Sequence, residues 1–166
     1  VIENPKQNLR LLYVPVSRGE RIVTISPEDG DRVLAYSWCI DGRYVKSSRR
    51  IDGKRIRLHR FILNADDKHH VDHINGNGFN NTRENLRLCS AGQNLANQRP
   101  QGRKKSSKFK GVFFHSHSKL WVAAVKKNGK RYATKYFKTE NEAALAYNKI
   151  AVEAFGSFAR LNEVDR

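Results

Sequence analysis

The sequence predicts an α+β protein in two parts. A β-rich stretch leads into a small mixed core, and a three-stranded antiparallel sheet packed on one helix follows. Three observations lead there. Asp29-Gly30, Asp41-Gly42 and Asp52-Gly53 punctuate β-prone runs between Leu9 and Leu63. Asn128-Gly129 separates two apolar runs, which is a tight-hairpin signal. Thr139, with Glu142 three positions on, opens a helical pattern as a capping box does.

In the first part, Arg21–Ile25 and Arg32–Tyr36 read as short strands. A two-residue turn at Asp41-Gly42 would set Cys39 opposite Tyr44 and Trp38 opposite Val45, making Trp38 and Tyr44 packing residues. Arg57-Leu58-His59-Arg60-Phe61 reads as a strand with His59 among apolar neighbours, and His69 and His70 as loop residues. Ser90 is an N-cap with Gln93 at the capping-box position, so a helix starts near Ala91 and carries Asn94. Residues 98–108 hold Pro, Gly, Ser and a charge run, and read as a linker that is either a solvated loop or a basic strap along a nucleic-acid backbone. In the last part, residues 111–114, 120–125 and 131–137 read as strands. Ala143, Ala144, Ala146, Tyr147, Ile150, Ala151, Ala154 and Phe155 recur at helical spacing, and Gly156 stops the helix.

The chain has 166 residues, with 32 Lys+Arg against 16 Asp+Glu, a formal net charge of +16. Such an excess calls for a polyanionic partner, nucleic acid first. No apolar run is long enough to span a bilayer, and Glu3, Asn4 and Lys6 interrupt any leader-like core, so a cytoplasmic protein without a membrane partner is expected. Cys39 and Cys89 are too far apart for a zinc ribbon or a disulfide framework.

The chemistry concentrates in Val71-Asp72-His73-Ile74-Asn75-Gly76-Asn77, followed by Asn85-Leu86-Arg87 and Gln93-Asn94. Cleaving a phosphodiester needs a base for water and positive charge for the phosphate and the departing oxygen. A neutral His is a base near pH 7, and a divalent metal supplies the charge. His73 is the base candidate. Asp72 points to the other side of an extended backbone and, with the amide of Asn94, makes an oxygen-only donor pair suited to Mg²⁺ or Mn²⁺ rather than structural zinc. Asn85 is placed to pin the turn-rich loop, since an Asn amide bonds both a carbonyl and an N–H. Arg87 and Arg99 are phosphate-clamp candidates and His70 a weaker phosphate contact.

Asp72-His73, Asn85 and Asn94, in the context VDHINGN…NTRENLRLCSAGQNLANQR, resemble the HNH nuclease motif of phage-type homing endonucleases. The resemblance covers roughly residues 59–99 and implies a ββα-metal core, with His73 as general base, Asp72 and Asn94 as metal ligands, and Asn85 as the residue that fixes the loop. Asn94 stands where the family name expects His, as in the homing branch. His59 matches a recurrent position of that branch, with either a structural or a site role.

Residues from Lys108 to about Val164 resemble the AP2 DNA-binding domain, through Phe109-Lys110-Gly111-Val112, Trp121-Val122-Ala123, Tyr136-Phe137-Lys138-Thr139 and Glu142–Tyr147. That resemblance implies that the sheet enters the major groove, with Lys110, Lys126, Arg131 and Lys135 as DNA contacts and His115 as a further candidate. Phe113 and Ala133 replace the Arg and Trp of plant members, so the plant target sequence does not carry over.

The expected organisation is an HNH nuclease domain with a β-rich N-terminal part at 1–99, a basic linker at 100–107 and an AP2-like DNA-binding domain at 108–166. The expected function is a monomeric, metal-dependent, site-targeted endonuclease that nicks double-stranded DNA in a bacterial host, encoded by a phage. The competing expectation is a non-catalytic DNA-binding regulator on the same scaffold.

Overall fold

The computed structural model describes residues 2–4, 9–13, 16–17, 21–99 and 106–164. Residues 100–105 of the expected linker lie outside them. The chain divides into two compact units, Val1–Ser90 and Ala91–Arg166. Among the described residues no helix is long and apolar enough to cross a membrane.

Unit one is built from short elements. Strands β1 (Ile2–Asn4), β2 (Leu9–Tyr13), β3 (Val16–Ser17) and β4 (Thr24–Ile25) come first. A 3-10 turn at Pro27–Asp29 runs into helix α1 (Gly30–Leu34). The hairpin of β5 (Trp38–Asp41) and β6 (Tyr44–Ser47) follows, then helix α2 (Leu58–Leu63). Strands β7 (His70–His73), β8 (Asn80–Asn81) and β9 (Leu86–Cys89) complete the unit. The sheets run β1-β2-β4-β8, β3-β5-β6 and β7-β9. Val23, Ile25, Val33, Trp38, Val45, Leu58, Ile62, Val71 and Leu86 form the core.

Three sequence expectations are corrected here. The run Arg32–Tyr36 is not a strand: residues Gly30–Leu34 form α1, which buries Val33 and leaves Asp31 and Arg32 in solvent. The indole N–H of Trp38 donates to the Val33 carbonyl at 2.9 Å and holds that turn against β5. Leu58, His59 and Ile62 are buried on one side of α2, so helical spacing outweighs the strand-like composition around His59. The hairpin turns at Gly42-Arg43 rather than Asp41-Gly42, with Gly42 at φ +60, so Trp38 faces Ser47 and Val45 faces Ile40.

One polar knot ties these pieces together. Asp29 is 1% exposed. Arg83 grips it with both ends of its guanidinium, Nε to Oδ2 at 2.8 Å and an Nη to Oδ1 at 2.7 Å, and the pairing raises the guanidinium pKa. The Arg83 backbone N–H donates to Ser26 Oγ at 2.9 Å. Arg32 reaches the same carboxylate at 3.3 Å and donates to the Ile62 carbonyl of α2 at 2.8 Å.

Unit two begins with helix α3 (Ala91–Asn97), at the position that Ser90 and Gln93 signal. Strands β10 (Val112–His115), β11 (Leu120–Lys127) and β12 (Lys130–Phe137) form an antiparallel sheet, with Asn128 and Gly129 both at positive φ in the turn. Helix α4 (Glu140–Phe155) packs on it through Ala143, Ala144, Tyr147 and Ala151. Both halves of the Thr139–Glu142 capping box are made, and Gly156 caps the other end at φ +56. Asn162 closes the unit. Its amide accepts from the Lys110 N–H at 2.7 Å and donates to the Lys110 carbonyl at 3.0 Å, while the Asn148 amide holds the Asn162 backbone at 2.7 and 2.9 Å.

Gly111 lies where this sheet meets α4. It sits at φ +69, and a Cβ there would stand 2.1 Å from the Tyr147 ring and 2.7 Å from the Ala124 carbonyl oxygen. Gly111→Ala is expected to destabilise unit two by about 3 kcal/mol, from overpacking and a left-handed backbone. Gly129→Ala meets nothing within 4 Å and carries only the backbone penalty of about 1 kcal/mol. Chemical denaturation of the two variants checks the difference; equal losses would contradict it.

Candidate active site

Strand pairing sets the first contacts of the site. In the β7–β9 ladder Asp72 faces Arg87 and His73 faces Leu86. The Arg87 guanidinium donates from Nε at 2.9 Å and from an Nη at 2.7 Å to Asp72 Oδ2. Arg87, expected to clamp a phosphate, therefore also serves as the cation beside the expected metal ligand. Alternation along β7 turns His73 away from Asp72. His73 lies on the side of α2, 5% exposed.

The loop between β7 and β9 is fixed by amides. Asn85 Oδ1 accepts from the Asn75 N–H at 3.0 Å, and its Nδ2 donates to the Asn80 carbonyl at 2.7 Å, so one side chain spans the loop. Asn75 and Asn77 each accept from the backbone N–H two positions on, at 2.8 and 3.1 Å. β8 pairs with β4, Ile25 against Asn81, which docks the loop on the core. Gly78 is required at its place, because a Cβ there would stand 2.0 Å from the Arg43 carbonyl oxygen and 2.9 Å from the Tyr44 ring.

Around His73 stands a cluster that the sequence reading did not assemble. The His59 ring meets the His73 ring edge-on at 5.0 Å, and Tyr44 touches both at 5.3 and 5.8 Å. The Arg57 guanidinium lies over Tyr44 at 4.8 Å. Asn81, 0% exposed, places its Oδ1 3.3 Å from His73 Nε2. Burial lowers the His73 pKa, opposed by the Asn81 hydrogen bond and by Asp72. Burial pushes the His59 pKa down to about 3, helped by His73, Arg57 and Arg60. His59 Nδ1 is buried without a hydrogen-bond partner, a group that costs about 1–3 kcal/mol to leave unsatisfied.

The other expected site residues fall elsewhere. His70 is exposed at the start of β7, and His69 bonds Asp66 at 2.7 Å. Asn94 is half-buried on α3 in unit two, and Arg99 follows that helix in solvent. Lys110 has its ammonium on the carbonyls at the end of α3, with Gln98 at 2.8 Å and Ala96 closer still. Lys126 and Arg131 face each other across β11 and β12, both exposed, and the Arg131 guanidinium stacks on Phe113 at 4.6 Å. Lys135 is exposed as well; it falls in the register shift between Val122 and Ala124, while Arg131 pairs with Lys126 and Tyr136 with Val122. His115 bonds Ser118 at 2.9 Å and packs on Tyr136. Among the described residues no group of three or more His, Cys, Asp or Glu converges to hold a metal.

The depressed histidines make unit one acid-sensitive. In the folded state His59 binds its proton only near pH 3, whereas unfolded it does so near 6.5. The unfolded state holds the extra proton between those values, so stability is full above about 6.5 and falls as pH drops toward 3, by up to about 1.4 kcal/mol per pH unit. Denaturation of wild type and His59→Phe across that window checks this. The variant should show a shallower slope, and an unchanged slope would contradict the assignment.

Residues 64–96 match the family model described as HNH endonuclease. A protein of Acanthamoeba polyphaga mimivirus, named an uncharacterized HNH endonuclease, is 39% identical over 117 residues, covering 67% of this chain and 59% of the viral protein. The chain thus spans less than two thirds of that relative. No solved structure matches the chain at a significant level. The segment that holds Asp72, His73, Asn85 and Asn94 carries the sequence pattern of the HNH endonuclease family.

Proposed function

We propose that the protein is a metal-dependent, site-targeted DNA endonuclease of the homing type, acting as a monomer and nicking one strand per event. The observation that carries this reading is a buried imidazole of lowered pKa, His73, bonded to Asn81 and next along the strand to Asp72, within an HNH-type segment. A neutral imidazole accepts a proton from water near pH 7, which phosphodiester hydrolysis requires. Asn85 keeps the loop that carries Asn81 in place.

Asp72 and Asn94 are the proposed donors for one Mg²⁺ or Mn²⁺. Their chemistry fits in that both offer hard oxygens; the Arg87 guanidinium on Asp72 Oδ2 is the cation an ion would meet there. When bound, the ion would neutralise charge on the phosphate and the departing oxygen.

Double-stranded DNA is the proposed substrate, met by unit two as an AP2-like module. The exposed pair Lys126 and Arg131 on the outer sheet face supports this, with Phe113 holding the guanidinium. Lys135 and Arg99 are exposed cations available to the backbone, while Lys110 spends its ammonium on α3. In unit one Arg43, Arg49, Arg50, Lys54, Arg55 and Arg57 are exposed along β5–β6 and the segment after it, a further cationic surface. A bacterial host cytoplasm and a phage gene are the proposed setting, and the viral relative is compatible with it.

Supercoiled plasmid carrying a target should be nicked with Mg²⁺ and spared with EDTA. His73→Ala should lower the rate by about 10²–10⁴-fold. Equal nicking by the variant and wild type would remove His73 from the base role. Lys126→Ala and Arg131→Ala should each flatten the log–log salt dependence of DNA binding by about 0.9. An unchanged slope in both would place the DNA on another face.

A further inference from the structure

The amide of Asn81 is oriented from two sides. Its backbone is fixed by the parallel pairing of β8 with β4, and its Nδ2 donates to the Gly78 carbonyl at 3.2 Å. Gly78 is in turn fixed by its close approach to Arg43 and Tyr44. With the NH₂ group turned to the Gly78 carbonyl, the atom facing His73 is the carbonyl Oδ1, 3.3 Å from Nε2. A carboxamide oxygen accepts and never donates, so this contact is a hydrogen bond only when Nε2 carries the proton. In a neutral imidazole the lone pair then sits on Nδ1. The rings of His59 and Tyr44, against His73 at 5.0 and 5.8 Å, restrict the rotation that would exchange the two nitrogens.

We propose that Asn81 is a positioning residue that holds His73 in the Nε2–H tautomer, so that His73 acts as a base through Nδ1. The proposal rests on the reading of His73 as the general base. It adds which nitrogen works and which side chain chooses it. Asn81 touches no reacting atom in this scheme. Its effect is to remove the population of His73 whose lone pair would face the Asn81 oxygen and be useless to a water.

The test reads the tautomer directly. The full chain, labelled with ¹⁵N-histidine, is compared with His73→Gln to assign the His73 signals among the six histidines. The wild type should show a protonated Nε2 and an unprotonated Nδ1 at pH 7.5. Asn81→Leu keeps the volume and loses the acceptor; its His73 should populate the Nδ1–H form, and nicking should lose about 10²-fold in kcat with KM little changed. Asn81→Asp restores an acceptor and should restore the Nε2–H signature. A wild-type Nδ1–H signature, or an unchanged signature in a folded Asn81→Leu, overturns the proposal. Should Asn81→Leu fail to fold, the wild-type signature decides alone. If the tautomer behaves as stated and no nicking occurs in any arm, the endonuclease reading falls while the assignment of Asn81 stands.

Discussion

The clasp between Asp29 and Arg83 is the constraint on which unit one depends. Asp29 is all but removed from water, and a carboxylate so placed is tolerable only with a cation in contact. Arg83 supplies that cation from the turn that follows Asn81, and Arg32 adds a second guanidinium. Arg32 also reaches the carbonyls of Phe61 and Ile62 at the end of α2, whose second residue is His59. One buried acid thus ties the loop that carries Asn81 and the helix that carries His59 to the same point. The strands of this unit are too short to hold either in place by ladder hydrogen bonds alone.

The site shows two ways of setting a histidine's charge. Around His59, burial and neighbouring cations act in one direction, and no hydrogen bond opposes them. Around His73, burial is opposed by an acceptor on one nitrogen and by the Asp72 carboxylate along the strand. The two rings touch, and burial lowers the pKa of both, but only around His73 do an acceptor and a carboxylate oppose it. Arg87, on the partner strand, pairs with that carboxylate.

Much of unit two was legible because local rules decide it. Asn128-Gly129 demands positive φ twice, Thr139 and Glu142 satisfy each other's backbone, and the spacing of Ala143, Ala144, Tyr147 and Ala151 marks one face. In unit one long-range contacts decide. Residues 32–36 carry a strand-like composition, but the indole of Trp38 and the carboxylate of Asp29 hold their first half in a helical turn. The turn moved one residue along from Asp41 because Gly42 takes the positive φ, which shifted every pair in the hairpin. Asp72, His73 and Asn85 could be singled out from spacing, and Asn85 spans the loop as its amide suggested. Asn81 could not be, being one of five asparagines between positions 75 and 85; its importance comes from a parallel pairing with β4, more than fifty residues upstream. The register shift at Lys135 leaves no mark in the alternation of the sequence either.

The asparagine at position 162 has a consequence for synthesis. It pairs with both backbone groups of Lys110, 52 positions earlier, at the entrance to the first strand of the sheet. Until that residue has left the ribosome, the two hydrogen bonds it makes to them cannot form, and they do not yet offset the entropy of closing so long a loop. That fastening therefore forms only after the three strands and the helix of the unit are already made. A nascent chain halted before residue 162 would expose a cationic surface without the fastening that sets its shape, and only the finished module presents it in one conformation.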